Sequence, residues 1–408
     1  MNQFKIKNSP YLIVAIAALG YFVDAYDLIL FVVIRKASLI SIGVPENDLS
    51  SMGLSLFNIQ MIGTFVGGIF FGIMGDKRGR LSVLFGSILV YSLANLLNAA
   101  VDSLWQYYVL RFVAGFGLAG ELGAGITLVS ETMPQKKRGY GTAIVAAAGA
   151  SGAFFAGIVG DMTPWRISYI IGGTMGLVLL FLRFNTFESA MFEKTQNTNI
   201  TKGNFLSLFT SNSRRKRYLA SISISLPIFF TITILMQLAP ELAKTMGISE
   251  EIKAGTAVTL VYLGLSIGDL SSGLISQFLK NRISTIRGFL ILGAGITVFH
   301  LVNDRINLQL LYLSYVLLGF GAGYWVNLLT LAAEQFGTNI RATVATTIPN
   351  FARGAVVPIS FLYQWILTKN NGNISKSALY TGIFCFAVAF VSTYFIRDTF
   401  SKDLDYTE

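Results

Sequence analysis

Cysteine and histidine are almost absent from this chain. One cysteine, Cys385, and one histidine, His300, occur among 408 residues. A single cysteine excludes an internal disulfide framework, and the sequence shows no His/Asp/Glu metal cluster, no nucleophile elbow and no phosphate loop. We therefore expect neither an enzyme nor a protein with a metal or another cofactor.

Charged residues are scarce as well. Only 13% of the residues are charged, against about a quarter in soluble proteins. Hydrophobic residues make up 53% of the chain, the mean hydropathy is +0.61, and strand-type alternation is absent. Such a chain belongs in a lipid bilayer, and we expect an all-α polytopic membrane protein.

Apolar segments recur along the chain at lengths near the roughly 20 residues that a membrane-spanning helix needs. The first six are residues 11–33, 52–74, 81–100, 105–129, 139–159 and 167–184. The second six are residues 219–238, 254–279, 288–302, 308–333, 342–365 and 378–396. The sequence thus predicts twelve transmembrane helices, six on each side of a polar stretch.

The distribution of lysine and arginine predicts how the spans are oriented. Joints on one side of the membrane hold eight of these residues, whereas the termini and the joints on the other side hold twenty-one. Because cytoplasmic segments carry the excess of positive charge, both termini are predicted to lie in the cytoplasm. The membrane is predicted to be the cell membrane, which is the inner membrane in a cell that has two. The basic run at 214–217 serves this topology, and we expect no nucleic-acid partner.

The two sets of six spans carry matching sequences. Glu131 is followed seven residues later by Arg138, and Glu334 is followed in the same way by Arg341, at an offset of 203 residues. Two related halves imply a central cavity between them, which is the architecture of secondary transporters. We predict an N-terminal six-helix bundle at 1–186, a cytoplasmic loop at 187–217 and a C-terminal six-helix bundle at 218–408.

The joint after the second span reads GIMGDKRGR over residues 72–80. This sequence resembles the loop signature of the major facilitator superfamily, although Leu81 stands where a second basic residue is usual. The resemblance implies the twelve-helix major facilitator fold and a cytoplasmic gate, in which acids and arginines at helix ends hold the halves together in one state. The residues of the motif and the gate are Gly72, Asp76, Lys77, Gly79, Arg80, Glu131, Arg138, Glu334 and Arg341. Ordinary topogenic charges are the alternative interpretation.

Four charged residues lie inside spans of the first half. Asp24 and Asp27 share one face of the first span, and Arg111 and Glu121 lie on the fourth. A charge at the bilayer centre costs about 3 kcal/mol on insertion scales, so we predict that these residues are functional. Asp27 and Arg111 lie at similar depth, which permits an ion pair.

The resemblance implies roles for these residues. In sugar porters and their relatives a Tyr-Asp in the first span, here Tyr26 and Asp27, is paired with the fourth-span arginine, here Arg111. Asp27 is then the proton-coupling carboxylate. Residues 117–125, around Glu121, look like the fourth-span pattern of metabolite:proton symporters, and residues 187–192 resemble their element after the sixth span. Asp24 and Glu121 are further candidates for the proton path, and a static Asp27–Arg111 pair is the alternative.

The second half adds two mid-span charges, Asp269 and Arg353, whose similar depth also permits a pair. Pro349 and Pro358 lie on either side of the arginine and allow a bend there. Further candidates for a substrate site, on helices that line the cavity in the superfamily, are Gln237, Tyr324, Trp325 and Asn327. A packing or lipid-facing role is the alternative for each of them.

These features together predict a proton-coupled symporter that carries a small polar metabolite, an organic acid or a zwitterion, by alternating access. Arg353 would hold a substrate carboxylate, and the proton is the coupling ion. A proton-driven exporter of cationic or amphipathic compounds is one alternative, although the fifth span contains no proline and so lacks the Gly-Pro element usual in such exporters. A transporter-like receptor is another. We expect a monomer whose partners are the substrate, protons and the lipid bilayer.

Overall fold

The structure is a computed structural model, and it describes residues 10–78, 80–123, 125, 129, 138–183, 205, 207–250, 252–303, 306–336 and 338–400. This part of the chain is almost entirely helical and contains no strand. The all-α prediction is therefore confirmed.

Each predicted span coincides, over its described residues, wholly or in part with a helix. Those of the first half are α1 (Pro10–Ser41), α2 (Leu49–Arg78), α3 (Arg80–Asn98), α4 (Leu104–Leu118), α5 (Arg138–Met162) and α6 (Trp165–Arg183). Those of the second half are α7 (Asn212–Ile224, Leu226–Phe230 and Thr231–Met236), α8 (Ala254–Leu279), α9 (Arg282–Val302), α10 (Leu308–Ala322 and Trp325–Glu334), α11 (Thr338–Gly354 and Val356–Lys369) and α12 (Ile374–Ser392). Short helices at Glu46–Asp48, Ser207–Thr210 and Ala239–Thr245 accompany them.

Eight of the helices in the described ranges are long and apolar enough to cross a membrane. The others lie on the remaining predicted segments, so the twelve segments fall on α1 to α12. Helix α7 begins at Asn212, so residues 212–217, which the sequence placed in the central loop, are helical. Most of the rest of that loop lies outside the described residues, and the domain boundaries stay a prediction.

Glycine sets the packing inside each half. A methyl group at Gly63 of α2 or Gly115 of α4 would lie 2.2 or 2.0 Å from a backbone carbonyl oxygen of the other helix. Gly264 of α8 and Gly319 of α10 repeat this arrangement, at 1.9 and 1.8 Å. These helix pairs are therefore in backbone contact, which only glycine allows. The repetition agrees with two halves that share one architecture.

Three helices of the second half are interrupted within their spans. Helix α7 changes to a π-helical turn over Thr231–Met236, just before Gln237. Helix α10 restarts at Trp325, and α11 breaks at Ala355, two residues after Arg353. Irregular backbone inside a membrane is tolerated where it is buried in protein or lines a cavity, and π-helical turns are frequent at functional sites. The breaks therefore place these side chains beside the interior of the bundle.

Candidate functional site

The centre of the protein holds an ion pair between the two halves. Nη2 of Arg353, on α11, donates to Oδ2 of Asp24, on α1, at 2.8 Å. The side chains are 4% and 0% exposed, respectively. The remaining Oδ1 of Asp24 and Nη1 of Arg353 have no hydrogen-bond partner among the described residues. We call this contact the central ion pair; the sequence had named both residues but had not paired them with each other.

Asp269 does not pair with Arg353. Its Oδ1 accepts a hydrogen bond of 3.2 Å from the backbone N–H of Val326, in the first turn of the second segment of α10. A carboxylate in this position satisfies an otherwise unpaired N–H and interacts favourably with the helix dipole. Asp269 thus caps the interrupted helix from the neighbouring α8, and the pair that its depth permitted is not formed.

Asp27 and Arg111 are both buried, but they are not in contact. Neither oxygen of Asp27 accepts a hydrogen bond of good geometry from a described residue, although its side chain is almost completely buried; the Asn95 amide is the polar group beside it. Arg111 donates instead to Oε1 of Gln60 and, at 3.3 Å, to the hydroxyl of Tyr169. Its guanidinium also lies 4.6 Å from the centre of the Phe31 ring. The direct ion pair predicted from the sequence is therefore wrong for this structure, because an amide, a phenol and an aromatic face surround the arginine.

Glu121 is bound on both carboxylate oxygens. Arg183, the last residue of α6, donates to Oε1 at 2.7 Å and to Oε2 at 2.9 Å, and both side chains are essentially inaccessible. Ser87 donates to Oε1 at 3.3 Å, and Arg183 also donates to the carbonyl of Ile16 at 3.3 Å. Sequence reasoning missed Arg183, because a cation at the end of a span is readily interpreted as one of the charges that set the orientation of the helix in the membrane. A carboxylate so fully bound has the geometry of a structural element rather than of a proton relay.

Aromatic side chains lie near the central ion pair. The hydroxyls of Tyr21 on α1 and Tyr262 on α8 lie within electrostatic range of both Asp24 and Arg353, and Tyr21 is hydrogen-bonded to Trp325. The sequence had named only Trp325 of these three, since a tyrosine in an apolar span carries no distinguishing pattern.

The remaining substrate-site candidates differ in their contacts. Gln237 and Asn327 are buried, and neither amide oxygen nor amide nitrogen has a partner among the described residues. Tyr324 donates to the carbonyl of Ile224 at 2.9 Å, which fits a packing role. Two unpaired amides therefore remain available to a polar ligand.

The two halves also meet at the end of the bundle where α1 stops and α2 begins, which we call the α1–α2 end. Arg35 of α1 is paired at 2.5 Å with Glu241, and Ser50 of α2 donates to the same oxygen at 3.0 Å. Beside them Asp161 of α5 accepts from the backbone N–H of Gly255, at the start of α8, at 3.1 Å. These contacts join the two halves at this end. The sequence analysis counted Arg35 only among the joint cations and did not single out Glu241 or Asp161.

The predicted cytoplasmic gate is largely outside the described part of the chain. Gly79 and Glu131 lie outside it altogether, and so do the side chains of Asp76, Lys77, Arg80, Arg138 and Arg341. Gly72 lies in α2 with only a methyl of Thr347 nearby. Glu334 is described, and it pairs with Arg282 at 2.9 Å and accepts from Thr399 at 2.6 Å. The arginine on α9 was not a predicted partner.

Comparison with known proteins agrees with this architecture. The family model described as Major Facilitator Superfamily matches residues 12–360. The chain is 28% identical to a protein of Haemophilus influenzae named "Putative metabolite transport protein", over 83% of this chain and 84% of that protein. It is 25% identical to the gentisate transporter of Corynebacterium glutamicum, over 86% and 81% of the two chains. The crystal structure of a D-xylose-proton symporter superposes with a TM-score of 0.71 at 16% identity and covers 97% of this chain and 99% of its own. Two six-helix bundles of this fold, matched over most of the chain, show that the protein belongs to the Major Facilitator Superfamily and is a membrane transporter rather than an enzyme.

Proposed function

We propose that the protein is a proton-coupled symporter that imports a small organic acid or zwitterion by alternating access. Both chain termini would lie in the cytoplasm. The observation that carries the proposal is the arrangement of three buried charged groups at the centre: Arg353, its partner Asp24, and Asp27, which forms no ion pair with any described residue.

Arg353 supplies the means of holding an anion. Its guanidinium is permanently charged, is almost fully buried, and uses only one of its two terminal nitrogens on Asp24. A guanidinium binds carboxylates best through two parallel hydrogen bonds, and Nη1 can still donate one to a substrate carboxylate oxygen. The unpaired amides of Gln237 and Asn327 can supply further hydrogen bonds to a polar substrate.

Asp27 supplies the means of carrying a proton. An ionised carboxylate is very costly in an apolar interior unless it is paired, whereas the neutral acid costs far less. Asp27 is buried without an ion-pair partner among the described residues, and Arg111 is close enough to act on it but donates its hydrogen bonds elsewhere. A movement that brings Arg111 onto Asp27 would favour loss of the proton, and its withdrawal would favour uptake. This exchange couples the proton to the position of α4 relative to α1.

The relatives narrow the class of substrate. The gentisate transporter carries, by its name, an aromatic carboxylate, and this chain places Tyr21, Tyr262 and Trp325 near Arg353. A carboxylate on the arginine with a flat, apolar body among these rings is the chemistry that the site would accept. Aromatic acids are therefore the first compounds to test, followed by amino acids.

Uptake into proteoliposomes tests the proposal. Vesicles that are more acidic outside than inside should accumulate labelled gentisate or an amino acid above its equilibrium level, and a protonophore should abolish this accumulation. Protein-free vesicles are the necessary control, because a neutral organic acid can cross a bilayer unaided. If no compound of either class accumulates, proton symport of organic acids or zwitterions is not the function.

The variant Asp27→Asn separates binding from coupling. It should lose accumulation against a gradient but keep exchange of labelled for unlabelled substrate. Asp102→Asn is the matched control, since Asp102 pairs with Arg166 on the exposed surface and should behave as wild type. Full gradient-driven accumulation by Asp27→Asn would contradict its assigned role.

A further inference from the structure

We propose that Asp24 and the substrate carboxylate are alternative partners of Arg353, so that substrate binding releases Asp24 and Asp24 takes up a proton as it leaves. This proposal rests on the proposed function and deepens it. It makes Asp24 the residue that links the presence of substrate to the presence of a proton.

The geometry of the central ion pair favours displacement. Asp24 and Arg353 share a single contact of 2.8 Å, with one carboxylate oxygen and one guanidinium nitrogen unused. The pair of Glu121 and Arg183 in the same membrane has two contacts, at 2.7 and 2.9 Å, and both residues have additional partners. A substrate carboxylate that binds Arg353 through both of its oxygens would therefore bind it better than Asp24 does. Arg183 already has two such contacts to Glu121, so a substrate would gain no contact there.

Charge balance then requires a proton. Two ionised carboxylates beside one buried guanidinium leave one negative charge uncompensated. The titratable and charged groups that face Asp24 are Arg353 on α11, Glu121 just after the end of α4, Tyr91 on α3, Tyr262 on α8, and Tyr21 and Asp27 on its own helix. Among these described groups only Arg353 is a cation, so no second one can take over Asp24.

The exchange is balanced in atoms and charge. The hydrogen bond between Asp24 and Arg353 breaks, a substrate carboxylate binds the guanidinium, and one proton from solution forms an O–H bond on the released Asp24. Protonation of Asp24 removes the second negative charge that the substrate would otherwise bring to the site. The total charge of the site is therefore the same before and after binding. Substrate and proton therefore enter together.

The same exchange acts on the contact between the halves. The central ion pair joins α1 to α11, and two further contacts of α11 cross to the first half nearby. Asn350 donates to the carbonyl of Ala119 at 3.0 Å, and the Phe351 ring lies 4.3 Å from the Phe65 ring. Release of Asp24 removes the one ionic contact from this set, so binding of substrate loosens the interface at the level of the site.

Calorimetric titration of gentisate and benzoate into the purified protein in nanodiscs tests the proton. Measurements in two buffers of different ionisation enthalpy give the number of protons taken up for each acid bound. Wild type should take up one proton, and the dissociation constant should rise about tenfold per unit of pH above neutrality. Asp24→Asn should bind either acid with no proton uptake and no such pH dependence.

Asp102→Asn, at an exposed ion pair, is the control and should bind either acid with the same proton uptake as wild type. Asp27→Asn, one helical turn from Asp24 on the same face, distinguishes the two carboxylates. It should keep the proton uptake on binding even though it fails in gradient-driven transport. Proton uptake that persists in Asp24→Asn and disappears in Asp27→Asn would overturn this inference while leaving the proposed function intact. Failure of both acids to bind Asp24→Asn, in which the arginine is free, would overturn it too.

Two further measurements guard against a misfolded variant. The double variant Asp24→Asn with Arg353→Gln removes both charges and should bind neither acid; proton-linked binding by it would contradict the proposal. Spin labels at Ser51 and Lys369, both exposed at the α1–α2 end in opposite halves, report the opening of the interface without any ligand. Asp24→Asn should shift this distance distribution, and an unchanged distribution would show that the central ion pair does not hold the halves.

Discussion

The buried pair of Glu121 and Arg183 offers the sharpest test of how charges are used in this protein. Replacement of Glu121 by Gln removes the charge from one partner and leaves Arg183 with an uncompensated charge in a site that excludes water. Breaking a buried ion pair in this way costs about 3–5 kcal/mol. Glu121→Gln should therefore lower the free energy of unfolding by this amount. It should not change the number of protons carried per substrate by the protein that remains folded.

Equilibrium unfolding in mixed micelles of increasing SDS content, followed by tryptophan fluorescence, measures the loss. The double variant Glu121→Gln with Arg183→Gln should lose less than the sum of the two single variants, by about 2–3 kcal/mol, because each single variant strands a charge. Asp102→Asn breaks an exposed pair and serves as the control that should change little. Additive losses of stability would refute the argument. A Glu121→Gln protein of unchanged stability that no longer couples protons would also refute it, and would show that Glu121 belongs to the proton path.

Two more predictions concern neighbouring contacts. Gly20→Ala should destabilise the fold in the same micelle assay. Its methyl group would lie 2.1 Å from a guanidinium nitrogen of Arg183 and 2.5 Å from a carboxylate oxygen of Glu121. An unchanged unfolding curve would show that this ion pair can move aside. Glu241→Gln should weaken the contact to Arg35 and open the α1–α2 end. The readout is a cysteine that replaces the buried Tyr363 in a Cys385→Ala background. This cysteine should react several times faster with a membrane-impermeant thiol reagent when Glu241 is replaced. An unchanged rate would mean that this contact does not control access.

The helices and the buried charges could be predicted from the sequence because they depend on strong, local signals. A run of about 20 apolar residues is unambiguous, and a charge inside such a run is conspicuous. Asp24, Asp27, Arg111, Glu121 and Arg353 were therefore all identified, and the superfamily followed from a nine-residue loop.

The partners of these charges could not be predicted in the same way. Depth along a span fixes only the height of a residue, whereas pairing also depends on the rotation of each helix and on the packing between the halves. Depth favoured Arg111 for Asp27 and Asp269 for Arg353, but Arg111 binds Gln60 and Asp269 binds the first turn of the second segment of α10. Arg183 escaped notice because its position at the end of a helix is where topogenic cations also lie.

The glycine contacts within each half have a mechanical consequence. Backbones that touch at Gly63, Gly115, Gly264 and Gly319 cannot slide or separate without losing the contact, so in the proposed alternating access each half would rotate as a rigid body. In such a rotation the atoms near the axis move least, and those far from it move most. Arg35 and Glu241, far from the middle of the membrane, can be pulled apart by rotation alone. Asp24 and Arg353, close to the axis, would hardly be displaced by the same rotation, so under the proposed mechanism a competing carboxylate or a proton would separate them.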